Sequence, residues 1–418
     1  MSLSNRTLAL TEQFADARRG LSVPEDEWIP GLVAVIFKTA RLHRATDIHL
    51  VPEHDRWTMH WRIDGVLHLI AGFDAEEARR IVARLKVLAS LLTYRTDLPQ
   101  EGRIRDSGDD GEIRVTTFPT MFGERTTLRL FAAASHLEYP QDLNLPPDIE
   151  TSLLRMSEAT SGVILVCGPS GSGKTTTAYA VLREIYRRSD GALSLMSLED
   201  PIEVMLPGVS QAQVNQAVDF DLAHGLRAMM RQDPDVILIG EIRDAATAEA
   251  AFQAALTGHL VVTTFHAGSS SEAVTRLLDM GIEPYLLRST LQSVVCQRLL
   301  RAACRKCSQP RDGRGSADES SIPGASSDKN SESTAHGHQC PECGGIGYSG
   351  RFVIAELLDV SLPKIGAAVL QSADSHHLQT VAKEDGIATL KERAEQSVAA
   401  GRTHPEEVFR ILGRDSQT

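Results

Sequence analysis

The sequence contains no apolar run approaching the ~18 residues that a membrane-spanning helix needs, so any membrane contact is predicted to be peripheral. Its start, MSLSNRTLALTEQ, has no basic segment followed by an apolar core and does not indicate a secretory signal. Basic residues are also in deficit, with 43 lysines and arginines against 55 acidic residues and a net charge of −12. The lack of a secretory signal predicts a cytoplasmic protein. Because the net charge provides no long-range attraction to nucleic acid, we expect no direct nucleic-acid partner.

Cysteine is rare as well, with six residues in a chain of 418, which argues against a disulfide framework. Two of the six, Cys167 and Cys296, lie in apolar runs and are predicted to be inert buried thiols. The other four form two Cys-x-x-Cys pairs: Cys304 with Cys307, and Cys340 with Cys343. Four thiolates are the ligand set of a closed tetrahedral Zn²⁺ site; the alternative is a set of free thiols.

The cysteine pairs enclose a segment of unusual composition. Residues 308–339 are rich in serine, glycine and charged residues and contain almost nothing apolar. Such a segment cannot form a packed core, and it lengthens a loop between metal ligands at little entropic cost. Residues 301–352 are therefore predicted to be a zinc-binding element that carries a disordered insertion at 308–339.

The rest of the chain divides by its hydrophobic pattern into several regions. A short amino-terminal segment, 1–30, precedes residues 31–135, where alternating apolar residues and one amphipathic helix predict a small α+β domain. Three prolines mark residues 136–149 as a linker. Residues 150–300 alternate buried strands with helices, which predicts an α/β fold with a mostly parallel sheet. Residues 353–418 are predicted to form a C-terminal helical region.

Two local features of the α+β region are well defined. Residues 57–63 alternate apolar and polar side chains and run into Asp64-Gly65, a pattern typical of a half-buried strand entering a hairpin. Asp74 and Glu77 stand where a capping box would begin a helix whose apolar residues recur at helical spacing.

The strongest chemical signal is GPSGSGKT, which follows the apolar run VILVC and opens a helical segment. Its glycines allow backbone N–H groups to turn toward phosphate oxygens at a helix N-terminus. Lys174 is predicted to neutralise the terminal phosphates of a nucleotide, and Thr175 to ligate Mg²⁺. The complete set of predicted phosphate-binding residues is Gly168, Ser170, Gly171, Ser172, Gly173, Lys174, Thr175 and Thr176.

Acidic residues follow two other predicted strands. Glu241 comes directly after VILIG, and we predict that it positions the water that attacks the phosphate. The run ALSLMSLE ends at Glu199 and is followed by Asp200 and Glu203. Because ligands gather beyond the carboxyl ends of parallel strands, both groups are predicted to face the nucleotide. The alternative for each is a capped strand end.

Histidines and arginines supply further candidates. His259 and His266 bracket the strand LVVTT, and only His266 follows its carboxyl end, where it could hydrogen-bond a phosphate. Arg227 and Arg231 are four residues apart in LRAMMRQ and could stabilise transferred charge from one helical face. The alternatives are structural histidines and a solvated basic edge.

These motifs together resemble those of a known family. GPSGSGKTTT, LEDPIE, LRAMMRQDPDVILIGEIRD and TGHLVVTTFHAGSSSEAVTRL look like the Walker A, Asp box, Walker B and His box of the secretion ATPases that power type II secretion and type IV pilus assembly. RATDIHLVPE, RIDGVL, LPQEGRI and GERTTLRLF resemble that family's PAS-like domain, and CRKC with CPECGGIGYSGR resembles its tetracysteine zinc element. The resemblance covers about residues 40–413.

The resemblance implies a homo-hexameric ring in which ATP binds between a RecA-like P-loop domain and the PAS-like domain that precedes it. By this analogy Arg103 and Arg114 reach the γ-phosphate, and Glu241 is the catalytic glutamate. Glu199 and Glu203 are then the Asp-box acids, and His259 and His266 the His-box pair. The motor is expected to work at the inner membrane on a platform protein of the secretion or pilus machinery. Larger members of the family carry an additional amino-terminal domain that docks on an inner-membrane partner. Only about 30 residues precede the first domain here, so the membrane partner of this chain is left open.

Other activities remain as alternatives at this point. A pilus retraction ATPase or a DNA-uptake ATPase of the same family is the nearest one, although retraction motors typically lack the tetracysteine element. A zinc-ribbon nucleic-acid-binding protein with a regulatory P-loop would predict a basic patch. An adaptor that binds ATP without hydrolysing it is the third.

Overall fold

The computed structural model describes residues 5–105, 112–130, 137–306, 340, 343 and 347–413. The chain divides into two compact units. The first contains Met1–Ala133 and Arg301–Gly350, and the second contains Ala134–Leu300 and Arg351–Thr418. Within the part of the chain that the structure describes, no helix has the length and apolar character needed to cross a bilayer.

The first unit is an antiparallel sheet with helices. Its helices are α1 (Asn5–Arg19), α2 (Trp28–Leu42) and α3 (Ala75–Leu88). Its strands are β1 (Asp47–Pro52), β2 (Trp57–Ile63), β3 (Val66–Phe73), β4 (Gln100–Arg105), β5 (Glu112–Thr120) and β6 (Gly123–Leu130). They are ordered β3-β2-β1-β6-β5-β4, and all five neighbouring pairs are antiparallel.

The strand, the hairpin turn and the Asp74 cap predicted for this unit are confirmed, whereas Glu77 does not complete a capping box, because its carboxylate accepts hydrogen bonds from Arg18 and Trp28. Trp57, Met59 and Trp61 on β2 are all buried, as the alternation requires. Asp64 and Gly65 form the β2–β3 turn with φ of 49° and 79°, the left-handed conformations that a two-residue hairpin turn of this type demands. Asp74 caps α3 by accepting hydrogen bonds from the backbone N–H groups of Glu76 and Glu77.

The structure differs from the predicted domain boundary at residue 31. Leu10 and Phe14, on one face of α1, are buried in the core of the first unit. Phe14 contacts Trp61 edge to face, with ring centroids 6.0 Å apart. Residues predicted to be a separate amino-terminal segment therefore complete this core. Most residues of α1 are polar, so Leu10 and Phe14 produce only a weak helical periodicity in the sequence.

The second unit is built on a seven-stranded sheet. Its strands are β7 (Gly162–Cys167), β8 (Leu195–Glu199), β9 (Val209–Gln213), β10 (Val236–Ile242), β11 (Leu260–Phe265), β12 (Leu291–Ala303) and β13 (Tyr348–Asp359). Their order is β13-β12-β7-β11-β10-β8-β9, and the neighbouring pairs from β12 to β9 are parallel. The predicted α/β arrangement is present, because helices alternate with these strands.

The helices of the second unit are α4 (Pro147–Met156), α5 (Lys174–Ser189), α6 (Leu222–Met229), α7 (Ala245–Leu256), α8 (Ser270–Asp279), α9 (Pro284–Thr290), α10 (Pro363–Leu370), α11 (Ser375–Glu384), α12 (Leu390–Ala399) and α13 (Pro405–Leu412). Two boundaries differ from the prediction. The first seven residues of the predicted C-terminal helical region, 353–359, belong to β13, whose Val353 and Ala355 pack in the sheet's core. The predicted linker 136–149 contains the start of α4 and buries Leu145.

One buried carboxylate joins the sheet to two helix ends. Glu356 on β13 is 5% exposed. Its Oε1 accepts hydrogen bonds from the backbone N–H and hydroxyl of Ser270, at the start of α8, at 2.7 and 2.8 Å. Its Oε2 accepts from the backbone N–H of Leu390, at the start of α12, at 2.9 Å. The charge is thus stabilised by donors at two helix N-termini.

Candidate active site

The glycine loop connects the buried strand β7 to α5, as predicted from its flanking sequence. Gly168 has φ of 151° and Gly173 has φ of 90°, conformations that side chains disfavour. A Cβ on Gly168 would lie 2.5 Å from Ser172 Oγ and 2.6 Å from the Gln297 carbonyl oxygen. Ser172 Oγ is buried and has no hydrogen-bond partner among the described residues. This turn at a helix N-terminus, with an unsatisfied hydroxyl, fits a bound phosphate chain.

Lys174 occupies the first position of α5 and is nearly buried. Its Nζ donates to the carbonyl oxygens of Gly168 at 2.9 Å and Pro169 at 3.2 Å. It also lies 3.6 Å from Glu241 Oε1, so the structure brings together the predicted phosphate-binding cation and the predicted catalytic acid. Among the other predicted loop residues, Thr175 and Thr176 are half-buried in the first turn of α5, and Ser170 and Gly171 are exposed.

Glu241, near the end of strand β10, lies between two cations. On the side away from Lys174, Arg243 donates from Nε to Glu241 Oε2 at 2.8 Å, and its Nη1 lies 3.5 Å from Asp200 Oδ2. The hydrogen bond to Glu241 raises the pKa of Arg243. Sequence reasoning missed this arginine, although it follows Glu241 by two residues in GEIRD. Arg243 therefore links Glu241, near the end of β10, to Asp200 in the acidic segment that follows β8.

The two Asp-box acids are placed differently. Glu199 is 2% exposed, and its carboxylate accepts hydrogen bonds from Ser197 Oγ at 2.6 Å, Gln211 Nε2 at 3.1 Å and the Tyr179 hydroxyl. Glu203 is exposed, and its backbone N–H donates to the Tyr179 hydroxyl oxygen at 3.3 Å. Glu199 is therefore an internal anchor, whereas only Glu203 presents its carboxylate to solvent.

Tyr179 links these acids to α5 and was also missed by sequence reasoning. It is 3% exposed. Burial, followed by the neighbouring Glu199, raises the pKa of its hydroxyl well above the ordinary value, so the group stays a proton donor at physiological pH. No local pattern indicates this role, because the partners lie about 20 residues away on other elements.

Replacing Tyr179 by phenylalanine is expected to cost roughly 1.5–3 kcal/mol of unfolding free energy, the usual worth of a hydrogen bond to a charged group. It should also lower kcat for ATP, because the segment carrying Glu203 loses a hydrogen bond. Denaturant unfolding and steady-state hydrolysis measure the two effects. Tyr186→Phe is the matched control, since this tyrosine is on the same helix and 37% exposed. Equal effects of the two substitutions would contradict the role of Tyr179.

Arg227 and Arg231 do not share a helical face. Arg227 lies on α6, but the helix ends at Met229, so Arg231 belongs to the turn that follows. The end of the helix fits the nearby Asp233-Pro234, because a residue before proline disfavours the helical conformation. Both side chains are exposed, and neither guanidinium has a hydrogen-bond or ion-pair partner within the described ranges.

The two histidines lie at opposite ends of β11. His266 follows the strand at the same edge as the glycine loop and is exposed. His259 precedes the strand, and its Nδ1 lies 2.8 Å from the Ala254 carbonyl oxygen at the end of α7. Six buried strand residues separate the two, a distance of roughly 20 Å. The prediction that His259 contacts nucleotide is therefore not supported for the loop of its own chain.

Arg103 and Arg114 are described within the first unit alone. They are direct cross-strand partners on β4 and β5. Each has a carboxylate partner on the neighbouring strand: Arg103 pairs with Glu112 at 2.9 Å, and Arg114 with Glu101 at 2.6 Å. The structure therefore clusters the two predicted arginines on one face of the sheet.

The described cysteines of the predicted zinc element come together. The Sγ atoms of Cys304, Cys340 and Cys343 all lie within 4.8 Å of one another. Cys304 Sγ and Cys340 Sγ are 3.7 Å apart, close to the ~3.8 Å expected between ligands at tetrahedral Zn–S distances. The backbone N–H of Gly347 donates to Cys343 Sγ at 3.4 Å and so helps to orient this sulfur. The donor set fits Zn²⁺; Cys307 and the insertion 308–339 lie outside the described residues.

The remaining two cysteines are buried side by side. Cys167 and Cys296 are register partners on the parallel strands β7 and β12. Burial, followed by the neighbouring Cys296, raises the pKa of the Cys167 thiol. This agrees with their prediction as unreactive core thiols.

Comparison with known proteins decides the family. Residues 23–410 match the family described as Type II/IV secretion system protein. The chain belongs to this family. Among its relatives, type II secretion system protein HxcR of Pseudomonas aeruginosa is 38% identical over 383 residues, covering 91% of this chain and 76% of the relative. The type IV pilus assembly ATPase TfpB of Acinetobacter baylyi is 36% identical over 393 residues, or 93% and 66% of the two chains.

Solved structures agree on the fold of this secretion-family chain. The ATPase DotB of Legionella pneumophila gives a TM-score of 0.64 at 19% identity, covering 92% of this chain and 95% of that one. The pilus retraction motor PilT, solved with ADP, gives 0.59 at 23% identity, covering 92% and 97%. The predicted family and the predicted α/β ATPase fold are confirmed.

Proposed function

We propose that this protein is a cytoplasmic hexameric motor that hydrolyses ATP to drive assembly of a pseudopilus or type IV pilus. The observation that carries the proposal is the P-loop itself, where Lys174 Nζ lies 3.6 Å from Glu241 Oε1 at the carboxyl edge of a parallel sheet. The relatives support the pathway, since they are named for type II secretion and for type IV pilus assembly.

The residues of the site divide the work of hydrolysis. The loop amides and Lys174 hold the phosphates, whose anionic oxygens are stronger acceptors than the two carbonyls that Lys174 contacts here. Thr175 would hold a Mg²⁺ ion, which would supply neutralisation of the charge that develops on the phosphates. Glu241 orients the attacking water. Glu203 is the second catalytic carboxylate, on a loop that is held by the hydrogen bond between its backbone N–H and the Tyr179 hydroxyl. Arg243 keeps Glu241 in place through a direct hydrogen bond.

Further cations stabilise the transferred charge. His266, Arg227 and Arg231 are exposed side chains of the second unit, free to turn toward a phosphate. Arg103 and Arg114 of the first unit serve the same purpose once their pairing with Glu112 and Glu101 is exchanged for phosphate. The cysteines hold a structural Zn²⁺ with Cys307 as the fourth ligand. The motor acts on a platform protein at the inner membrane.

A steady-state assay separates a motor from an adaptor that merely binds ATP. We expect Mg²⁺-dependent ATP hydrolysis by a hexamer identified by light scattering, with faster turnover when the cytoplasmic part of the platform protein is added. Glu241→Gln should retain ATP binding and lower kcat by roughly 10²–10⁴-fold, the range for loss of a group that handles protons or water. ATP binding without turnover in the parent would contradict the proposal.

Loss of the gene in its host then distinguishes assembly from retraction. An assembly motor predicts loss of surface fibres or of secretion, whereas a retraction motor predicts fibres that persist.

A further inference from the structure

A buried glutamine on β12 contacts the P-loop and the helix that follows it. Gln297 is 1% exposed. Its Nε2 donates to the carbonyl oxygen of Ser172 at 2.8 Å, and its Oε1 accepts from Thr177 Oγ1 at 3.0 Å. The side chain thus bridges the end of the glycine loop and the first turns of α5, with donor and acceptor both satisfied.

The loop also packs directly on this residue. A Cβ on Gly168 would lie 2.6 Å from the Gln297 carbonyl oxygen, and a Cβ on Gly173 would lie 3.0 Å from Gln297 Nε2. Both ends of the loop therefore lie against Gln297, and at Gly168 its backbone oxygen leaves no room for a side chain. This contact explains why glycine is required at Gly168 in addition to its backbone conformation.

The hydrogen bond to Ser172 determines where an amide points. A peptide bond is planar and trans, so the carbonyl of Ser172 and the N–H of Gly173 point in opposite directions. When Gln297 holds that carbonyl, it turns the Gly173 N–H away from β12, toward the side on which the phosphates bind. Thr177, held by the other end of the same side chain, also donates its backbone N–H to the Gly173 carbonyl at 3.0 Å.

We infer that Gln297 is a positioning residue for ATP hydrolysis: it fixes the orientation of the Ser172–Gly173 peptide so that its N–H faces the nucleotide phosphates. This inference rests on the proposed function. It assigns Gln297 no contact with nucleotide, because its amide nitrogen and oxygen bind the loop and α5. The same geometry distinguishes it from Arg298, which faces the other side of the strand and donates to the Gly268 carbonyl at 2.6 Å.

Gln297→Glu provides the sharpest test, because a carboxyl group can replace the amide in one protonation state only. The neutral acid can donate its O–H to Ser172, whereas the carboxylate presents a repelling oxygen. Burial raises the pKa of such a carboxyl group above its ordinary range, so both forms are reached in an accessible pH interval. We therefore expect the KM for ATP to rise about tenfold from pH 6 to pH 9 in this variant, a change the parent lacks.

Gln297→Met, of similar size without hydrogen-bonding groups, should raise the KM at every pH. Gln292→Met is the matched control, since Gln292 lies on the same strand and donates to the Ser161 carbonyl away from the loop. Thermal unfolding of each variant detects general damage. If Gln297→Met does not fold, Thr177→Val removes the other hydrogen bond of the bridge and should raise the KM without pH dependence.

The outcomes separate this inference from the proposed function. A pH profile and a KM for Gln297→Glu equal to those of the parent would overturn the role of Gln297. If the parent binds nucleotide but does not hydrolyse it, the proposed function fails. The same titration then uses the affinity for a fluorescent ADP analogue, whose pH dependence in Gln297→Glu again decides the inference.

Discussion

Lys174→Ala is expected to lower kcat for ATP hydrolysis by roughly 10²–10³-fold, the loss typical of removing one preorganised donor from a charged transition state. The lysine is 7% exposed and lies between two loop carbonyls and Glu241, so its loss removes the positive charge held directly at the loop. A steady-state phosphate-release assay at saturating ATP measures the effect.

Lys364→Ala is the control for the loss of a lysine. This residue forms a surface ion pair with Asp385 at 3.0 Å, and exposed pairs of this kind contribute about 0–1 kcal/mol. Its turnover should match the parent. Lys174→Arg should also be strongly impaired, since the guanidinium is too large for the position and cannot act as a compact charge. Undiminished turnover by Lys174→Ala would remove the basis for the assignment of the P-loop.

Cys343→Ser should reduce the zinc content from about one ion per chain to near zero and destabilise the element around Cys304, because binding free energy at a structural site is folding free energy. Cys343 is fully buried, and its Sγ accepts a hydrogen bond from the backbone N–H of Gly347. A serine hydroxyl at this position is a poorer Zn²⁺ ligand than a cysteine thiolate. Elemental analysis of dialysed protein and thermal unfolding measure the two changes.

The matched control is Cys296→Ala, which removes a buried thiol on β12 whose register partner is Cys167 and which is not a member of the cluster. Its zinc content should remain at about one ion per chain even if its stability falls. A parent protein that contains no zinc after purification without chelators would instead favour free thiols at these positions.

The parts of the fold that the sequence predicted are those encoded locally. The β2–β3 hairpin, the cap at Asp74 and the glycine loop each depend on residues within a few positions of one another, so their patterns are legible in one stretch. The parallel sheet followed from apolar runs alternating with helices. α1 was missed because its sequence is mostly polar and its large apolar contacts with the core come from Leu10 and Phe14.

The supports of the site could not be predicted because they join residues far apart in the chain. Gln297 reaches Ser172 across 125 positions, and a glutamine in an apolar run carries no signal by itself. Glu199 matched an acidic motif, yet burial and three donors make it an internal anchor. His259 matched its family motif, but it lies before β11, at the edge opposite the glycine loop, as its place ahead of LVVTT already indicated.

Glu356 links the start of α12, one of the C-terminal helices, to the start of α8, which follows His266 in the chain. One carboxylate accepts hydrogen bonds from the backbone amides of both Ser270 and Leu390. Each amide exchanges with solvent only after its hydrogen bond to Glu356 is broken. Their exchange with deuterium should therefore occur in a single opening event. A displacement of Glu356 from its place on β13 would thus remove the acceptor of both helix starts at once, at α8 and at α12.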